Sequence, residues 1–156
     1  MYPAAHSRFM QLPIDARLTV FHDILYFFEY IVSQNYVAID FYDGSIMYDF
    51  ENDKTTICDI DSFRKQPCIN DMGRMWGSSL FQSPEEYQIG AAIDEITNVY
   101  TLGATAFALF GEYNRTRDKW QLSDKLFEIA TRAVSDDRID RQQSIRQLIE
   151  EWEVAL

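Results

Sequence analysis

Glycine is scarce: six residues among 156, none before Gly44. No G-x-G-x-x-G run exists, so the sequence offers no glycine-rich loop to cradle phosphates. Cysteine is scarcer. Cys58 and Cys68 stand ten apart, with no C-x-x-C and no matching histidine pair, which argues against a zinc site or disulfide scaffold and suits a reduced, cytoplasmic setting. Positive charge is also short, with 14 Lys and Arg against 25 Asp and Glu and a net charge of −11. Nucleic acid and anionic membranes are therefore excluded as main partners, because phosphate contacts need clustered cations. No apolar run is long. The best, Val99 to Phe110, falls below the ~18 residues of a membrane span and reads as a buried helix. Arg8, Asp15, Arg17 and Asp23 interrupt the N-terminal region, so no signal peptide is expected.

What is present is a core. At 47% hydrophobic and 15% aromatic content, the chain can bury enough apolar surface for one globular domain. Ile14, Leu18, Phe21, Leu25, Phe28 and Val32 step by three and four, and Val20, Ile24, Phe27 and Ile31 add a second stripe. This predicts a central helix over 14–34, closed by Asn35 in the left-handed conformation. Ser45 to Phe50 and Thr55 to Ile60 are β-prone runs around the polar turn Glu51-Asn52-Asp53-Lys54, which reads as a hairpin. Ser83-Pro84-Glu85-Glu86 has the cap, first-turn proline and acids that start a helix. Further helices are expected at 94–110, ended by Gly111, at 123–134 and at 141–152. Trp76, Trp120 and Trp152 are expected as core or interface anchors.

Four pieces carry chemistry, and they come in order. Ala38-Ile39-Asp40 leads through Phe41, Tyr42, Asp43 and Gly44 to Ser45; then come Asp59-Ile60-Asp61, Ser83-Pro84-Glu85 and Asn98-Val99-Tyr100-Thr101-Leu102-Gly103. Together they resemble the H-R-D-x-x-x-x-N, D-F-G and A-P-E motifs and the D-x-[WY]-S-x-G helix of the eukaryotic-type serine/threonine protein kinase family. The resemblance covers about residues 8 to 154. It implies a mainly α (α+β) protein-kinase-like C-lobe, helical with a small β-hairpin, the N-lobe being absent. On that reading 1–156 is a single domain, with catalytic loop 38–45, metal motif 59–61, activation segment 61–85 and helical remainder 94–154.

The resemblance further implies transfer of the γ-phosphate of ATP to a hydroxyl. Asp40 would be the catalytic residue, meeting the acceptor hydroxyl, while Asp59 and Ser45 would hold Mg2+ with ATP. Asp43, Asp49 and Asp61 crowd the same stretch, and a hard cation offsets such repulsion. Departures from the family are equally specific. Ser45 replaces an asparagine ligand, Tyr42 a phosphate-facing lysine, and Ile39 the arginine that pairs with a phosphorylated activation segment. Asp61 replaces a glycine, and Asn98 replaces the aspartate that anchors the catalytic loop. Glu85 and Arg141 are expected as a buried ion pair, and neither His6 nor His22 as a ligand. With half the nucleotide clamp absent, the chain alone is expected to be inactive, and its partners to be ATP, a protein substrate, an N-lobe-supplying partner or a second copy. Two alternatives stand beside this reading: a pseudokinase or binding scaffold, and a small-molecule kinase related to antibiotic phosphotransferases.

Overall fold

Helix α2, Ile14–Ser33, is apolar on most of its circumference, and Val20, Phe21, Ile24, Leu25, Phe28 and Ile31 are buried. It ends where Asn35 turns left-handed, at φ 64°, a conformation asparagine tolerates better than most residues. The structure is a computed structural model that describes residues 3–156, with side chains from His6 onward. A short helix, α1 (Pro3–Met10), precedes α2 and was not expected from the sequence.

Helix α3, Glu95–Phe110, is buried continuously from Thr97 to Phe110. Asp94 caps it, accepting the Ile96 N–H at 2.9 Å, and Gly111 closes it. A Cβ on Gly103 would lie 2.7 Å from Ala133 Cβ and 2.9 Å from Val134 Cγ1. The missing side chain thus lets α4 (Asp124–Ala133) cross α3 in close contact. Ser123 and Ser144 cap α4 and α5 (Ile145–Ala155) through the Leu126 and Gln147 amides. Between α2, α3, α4 and α5 lies an aromatic core that includes Phe21, Phe107, Phe110, Trp120 and Trp152. Phe21 and Trp152 rings stand 4.7 Å apart, a separation that rewards aromatic pairs beyond area alone.

Among the described residues, three small antiparallel sheets decorate this helical body. Strands β2 (Ile46–Asp49) and β3 (Lys54–Ile57) form the expected hairpin, with Ile46 opposite Ile57. Two-residue ladders join β1 (Tyr36–Val37) to β4 (Arg64–Lys65) and β5 (Cys68–Ile69) to β6 (Ala92–Ile93). One expectation is corrected. Pro84–Tyr87 is one 3-10 turn rather than the start of a helix. Glu86 folds back onto the Ser83 amide at 2.7 Å, and Gln88 is already extended at φ −116°. Trp76 is two-thirds exposed, unlike buried Trp120 and Trp152. Among the described residues no helix is long and apolar enough to cross a membrane.

Candidate active site

Two pairings bring the first two motifs together. The β2–β3 hairpin returns the chain so that the Cys58 amide donates to the Ser45 carbonyl at 2.9 Å, and the β1–β4 ladder sets Val37 opposite Arg64. Residues 38–45 and 58–63 are thereby held side by side. Asp40 and Asp59 lie close enough across this seam to interact: burial first, and then the charge of Asp59, push the Asp40 carboxyl above its ordinary value.

Both aspartates adopt the left-handed backbone, Asp40 at φ 60° and Asp59 at φ 61°. Residues other than glycine seldom do so, and such outliers gather at working sites. The left-handed residue of the second motif is therefore its first, Asp59, and aspartate at its third position, Asp61, meets no such demand. Asn98 anchors the first loop from below. Its Oδ1 accepts the Ala38 N–H and its Nδ2 donates to the Ala38 carbonyl, each at 2.8 Å. A carboxylate there could only accept, so the amide grips both ends of one residue.

Ser45 is fully buried, and its Oγ accepts the Tyr42 N–H at 3.4 Å. A hydroxyl keeps a second lone pair, so this serine can still offer one oxygen. Among the described residues no cluster of three or more His, Cys, Asp and Glu groups could cage a metal. The donor set at hand is the Asp59 carboxylate and the Ser45 hydroxyl, with the Asp40 carboxylate near enough to feel the charge of Asp59. That fits magnesium, which is commonly held by one or two carboxylates together with substrate phosphates rather than by an all-protein cage.

The segment after Asp59 is held by buried side chains. Ile39 is buried in one apolar cluster with Val37, Met75 and Ile93, which holds residue 75 against the first loop. Asn70, fully buried, accepts the Met72 and Gly73 amides and donates to the Gly73 and Glu85 carbonyls. Gln82 Nε2 donates to the Met75 carbonyl at 2.8 Å. Glu85 then ties the third motif to the helices: Arg141 reaches both its oxygens, at 2.7 and 3.0 Å. Arg138, which the sequence reading missed, adds a 2.6 Å contact to Glu85 and grips both oxygens of Asp94. The R-I-D-R spacing of Arg138 and Arg141 was the signal available for it. Burial pushes the Glu85 carboxyl up, but the hydrogen bond and charge of Arg141, with the charge of Arg138, hold it below its usual value.

No protein-family model matches this sequence, and no curated protein matches it either. Among solved structures it is similar to the kinase PK-1 of the Cydia pomonella granulovirus, with a TM-score of 0.70 at 15% identity. The likeness covers 88% of this chain and 57% of that one. The chain therefore spans little more than half the length of that kinase. It has a kinase-like fold, mostly helical with small antiparallel sheets.

Proposed function

We propose that this chain is the C-lobe of a serine/threonine protein kinase-like phosphotransferase, moving the γ-phosphate of ATP to a hydroxyl. The observation that carries the reading is the pairing of two left-handed aspartates, Asp40 and Asp59, on adjacent loops that the hairpin and Asn98 hold together. Asp59, with Ser45 beside it, holds magnesium. When bound, the cation neutralises the nucleotide phosphates. Asp40 receives the acceptor: its raised affinity for a proton suits a group that orients a hydroxyl and accepts its hydrogen bond. The Ile39–Met75 contact and Asn70 keep the segment 61–85 in place without a phosphorylated residue. The other face of the nucleotide is closed by further protein, an N-lobe or a partner, and the setting is the reducing cytoplasm, consistent with free Cys58 and Cys68.

One observation favours the scaffold reading. Tyr42 lies over Gly44, so close that a Cβ on Gly44 would meet its Cε2. On the resemblance, this aromatic ring takes the place of a lysine that would meet the transferring phosphate. Thermal melting separates the two readings. Millimolar ATP with magnesium should raise the melting temperature, and ATP with EDTA, or the Asp59→Asn chain with magnesium, should not. Equal protection in all three, or none in any, leaves the scaffold reading.

A further inference from the structure

The loop that follows α3 turns on two successive left-handed residues, Glu112 at φ 52° and Tyr113 at φ 63°. Residues other than glycine seldom tolerate that backbone, and strain held in place by its surroundings marks a built feature. The turn brings Arg115 back against α3 and the end of segment 61–85. There its Nη1 donates to the Tyr100 hydroxyl at 2.8 Å and its Nη2 to the Leu80 carbonyl at 3.1 Å. The guanidinium carbon stands 5.1 Å from the Tyr100 ring. All of these partners are neutral. In a chain with 25 acidic residues, Arg115 meets no carboxylate among the described residues, while its neighbours Arg117 and Lys119 pair with Asp124 and Glu112.

A pocket of about 360 Å³ opens beside this cation, with Ser79, Leu80, Tyr100, Phe107, Tyr113 and Arg115 in its lining. That volume lies at the small end of ligand sites. Its free polar groups are donors. A guanidinium carries five N–H groups, and Arg115 uses two of them on Tyr100 and Leu80. Tyr100 is only 5% exposed; its oxygen accepts from Arg115, and its own proton has no acceptor among the described residues. The Ser79 side chain is exposed and adds a second hydroxyl. Tyr113 contributes its ring, its hydroxyl proton being committed to Asp43 Oδ2 at 2.8 Å. No Asp or Glu lines the pocket. A pinned guanidinium without a counter-ion, beside a buried hydroxyl proton without an acceptor, is complementary to an oxygen-rich anion. One arginine suits one phosphoryl group and not a polyanion, whose binding needs clustered cations.

We infer that this pocket binds a single phosphate group, held by Arg115, with Tyr100 and Ser79 donating to its oxygens. None of the three residues belongs to the Asp40–Asp59 site, so the inference does not rest on the phosphotransferase reading.

An NMR titration of the unaltered chain with sodium phosphate at neutral pH, ionic strength being held constant with chloride, tests this. The Arg115 Nε–H and the Ser79 amide should shift saturably in the millimolar range. Arg115→Met should weaken binding by about tenfold or more, and Tyr100→Phe, which keeps the ring, by several-fold. Ser79→Ala should cost less affinity and, on an exposed side chain, reads the site without disturbing the fold. Asp59→Asn should leave phosphate affinity unchanged. Glycerol phosphate separates the two sources of the group: tighter binding than phosphate assigns the pocket to a small ester, and weaker binding to the free ion. Shifts that rise without saturation, that chloride alone reproduces, or that survive Arg115→Met unchanged overturn the inference. Equal affinity in the native, Tyr100→Phe and Ser79→Ala chains overturns it as well.

Discussion

Replacing Glu85 by alanine removes the one carboxylate among the described residues that forms a salt bridge with Arg141, and Arg141 has no route to water, being fully buried beneath the third motif. In the native chain this guanidinium makes two charge-assisted bonds to Glu85 at 2.7 and 3.0 Å and a further bond from Nε to the Ser135 carbonyl at 2.8 Å. Its carbon also sits 5.0 Å from the Tyr100 ring. After the substitution the carbonyls and the ring remain, but the charge is uncompensated. Stranding one member of a buried pair costs about 3–5 kcal/mol. Arg138 is more than a quarter exposed and keeps Asp94, so its loss of Glu85 adds little. Urea denaturation should therefore place Glu85→Ala about 3–4 kcal/mol below the native chain. Glu85→Ala with Arg141→Met should recover part of that loss, since no buried charge is left over. Single and double substitutions that cost only a few tenths of a kcal/mol and add would refute a buried pair.

The two neighbouring glutamates should give opposite pH dependence. Burial pushes Glu86 up to about 7, with the charge of Glu85 adding to the rise and the Ser83 bonds opposing it. Its folded form thus holds a proton the unfolded chain has released, so stability falls as pH rises from about 4.5 to about 7, by about 2–3 kcal/mol. Glu85, held below its usual value, contributes stability that is lost on the acid side. Glu86→Gln should flatten the neutral limb in urea titrations and leave the acid limb intact. Asp40→Asn should raise the melting temperature of the nucleotide-free chain at neutral pH, because it removes the charge opposed by burial and Asp59 and asparagine tolerates φ 60°; a lower melting temperature would contradict the closeness of the two carboxylates. Met47 and Ile60 are more than half exposed around the hairpin, so self-association, or a partner covering that face, is expected. A monodisperse monomer by light scattering at high micromolar concentration, binding no apolar dye, would count against it.

The parts legible in the sequence were those with strong local signals. The three- and four-residue stepping of α2, the polar turn at Glu51 to Lys54 and the left-handed Asn35 each follow from local physics. The Glu85–Arg141 pair was legible only through the resemblance. What escaped was set by tertiary contact. The two-residue ladders at Val37–Arg64 and Ile69–Ala92 are too short to show a period of two. The turn at Pro84 carries every helix-start signal, including the capping-box bond of Glu86 to the Ser83 amide, yet the chain is extended again by Gln88. Tyr113 joins Asp43 from 70 residues away, and nothing local marks either residue for the other.

The central claim is a cation site at one named pair within a chain that is acidic throughout. Paramagnetic broadening by Mn2+ in the presence of ATP, followed residue by residue in NMR spectra, tests it most directly. The account predicts that Asp40, Ser45 and Asp59 broaden first, at stoichiometric metal, and that Asp59→Asn removes the effect while distant resonances stay sharp. Broadening spread evenly over Asp49, Asp53, Asp61 and Asp71, unchanged by Asp59→Asn, would show diffuse binding to an acidic surface and contradict the site.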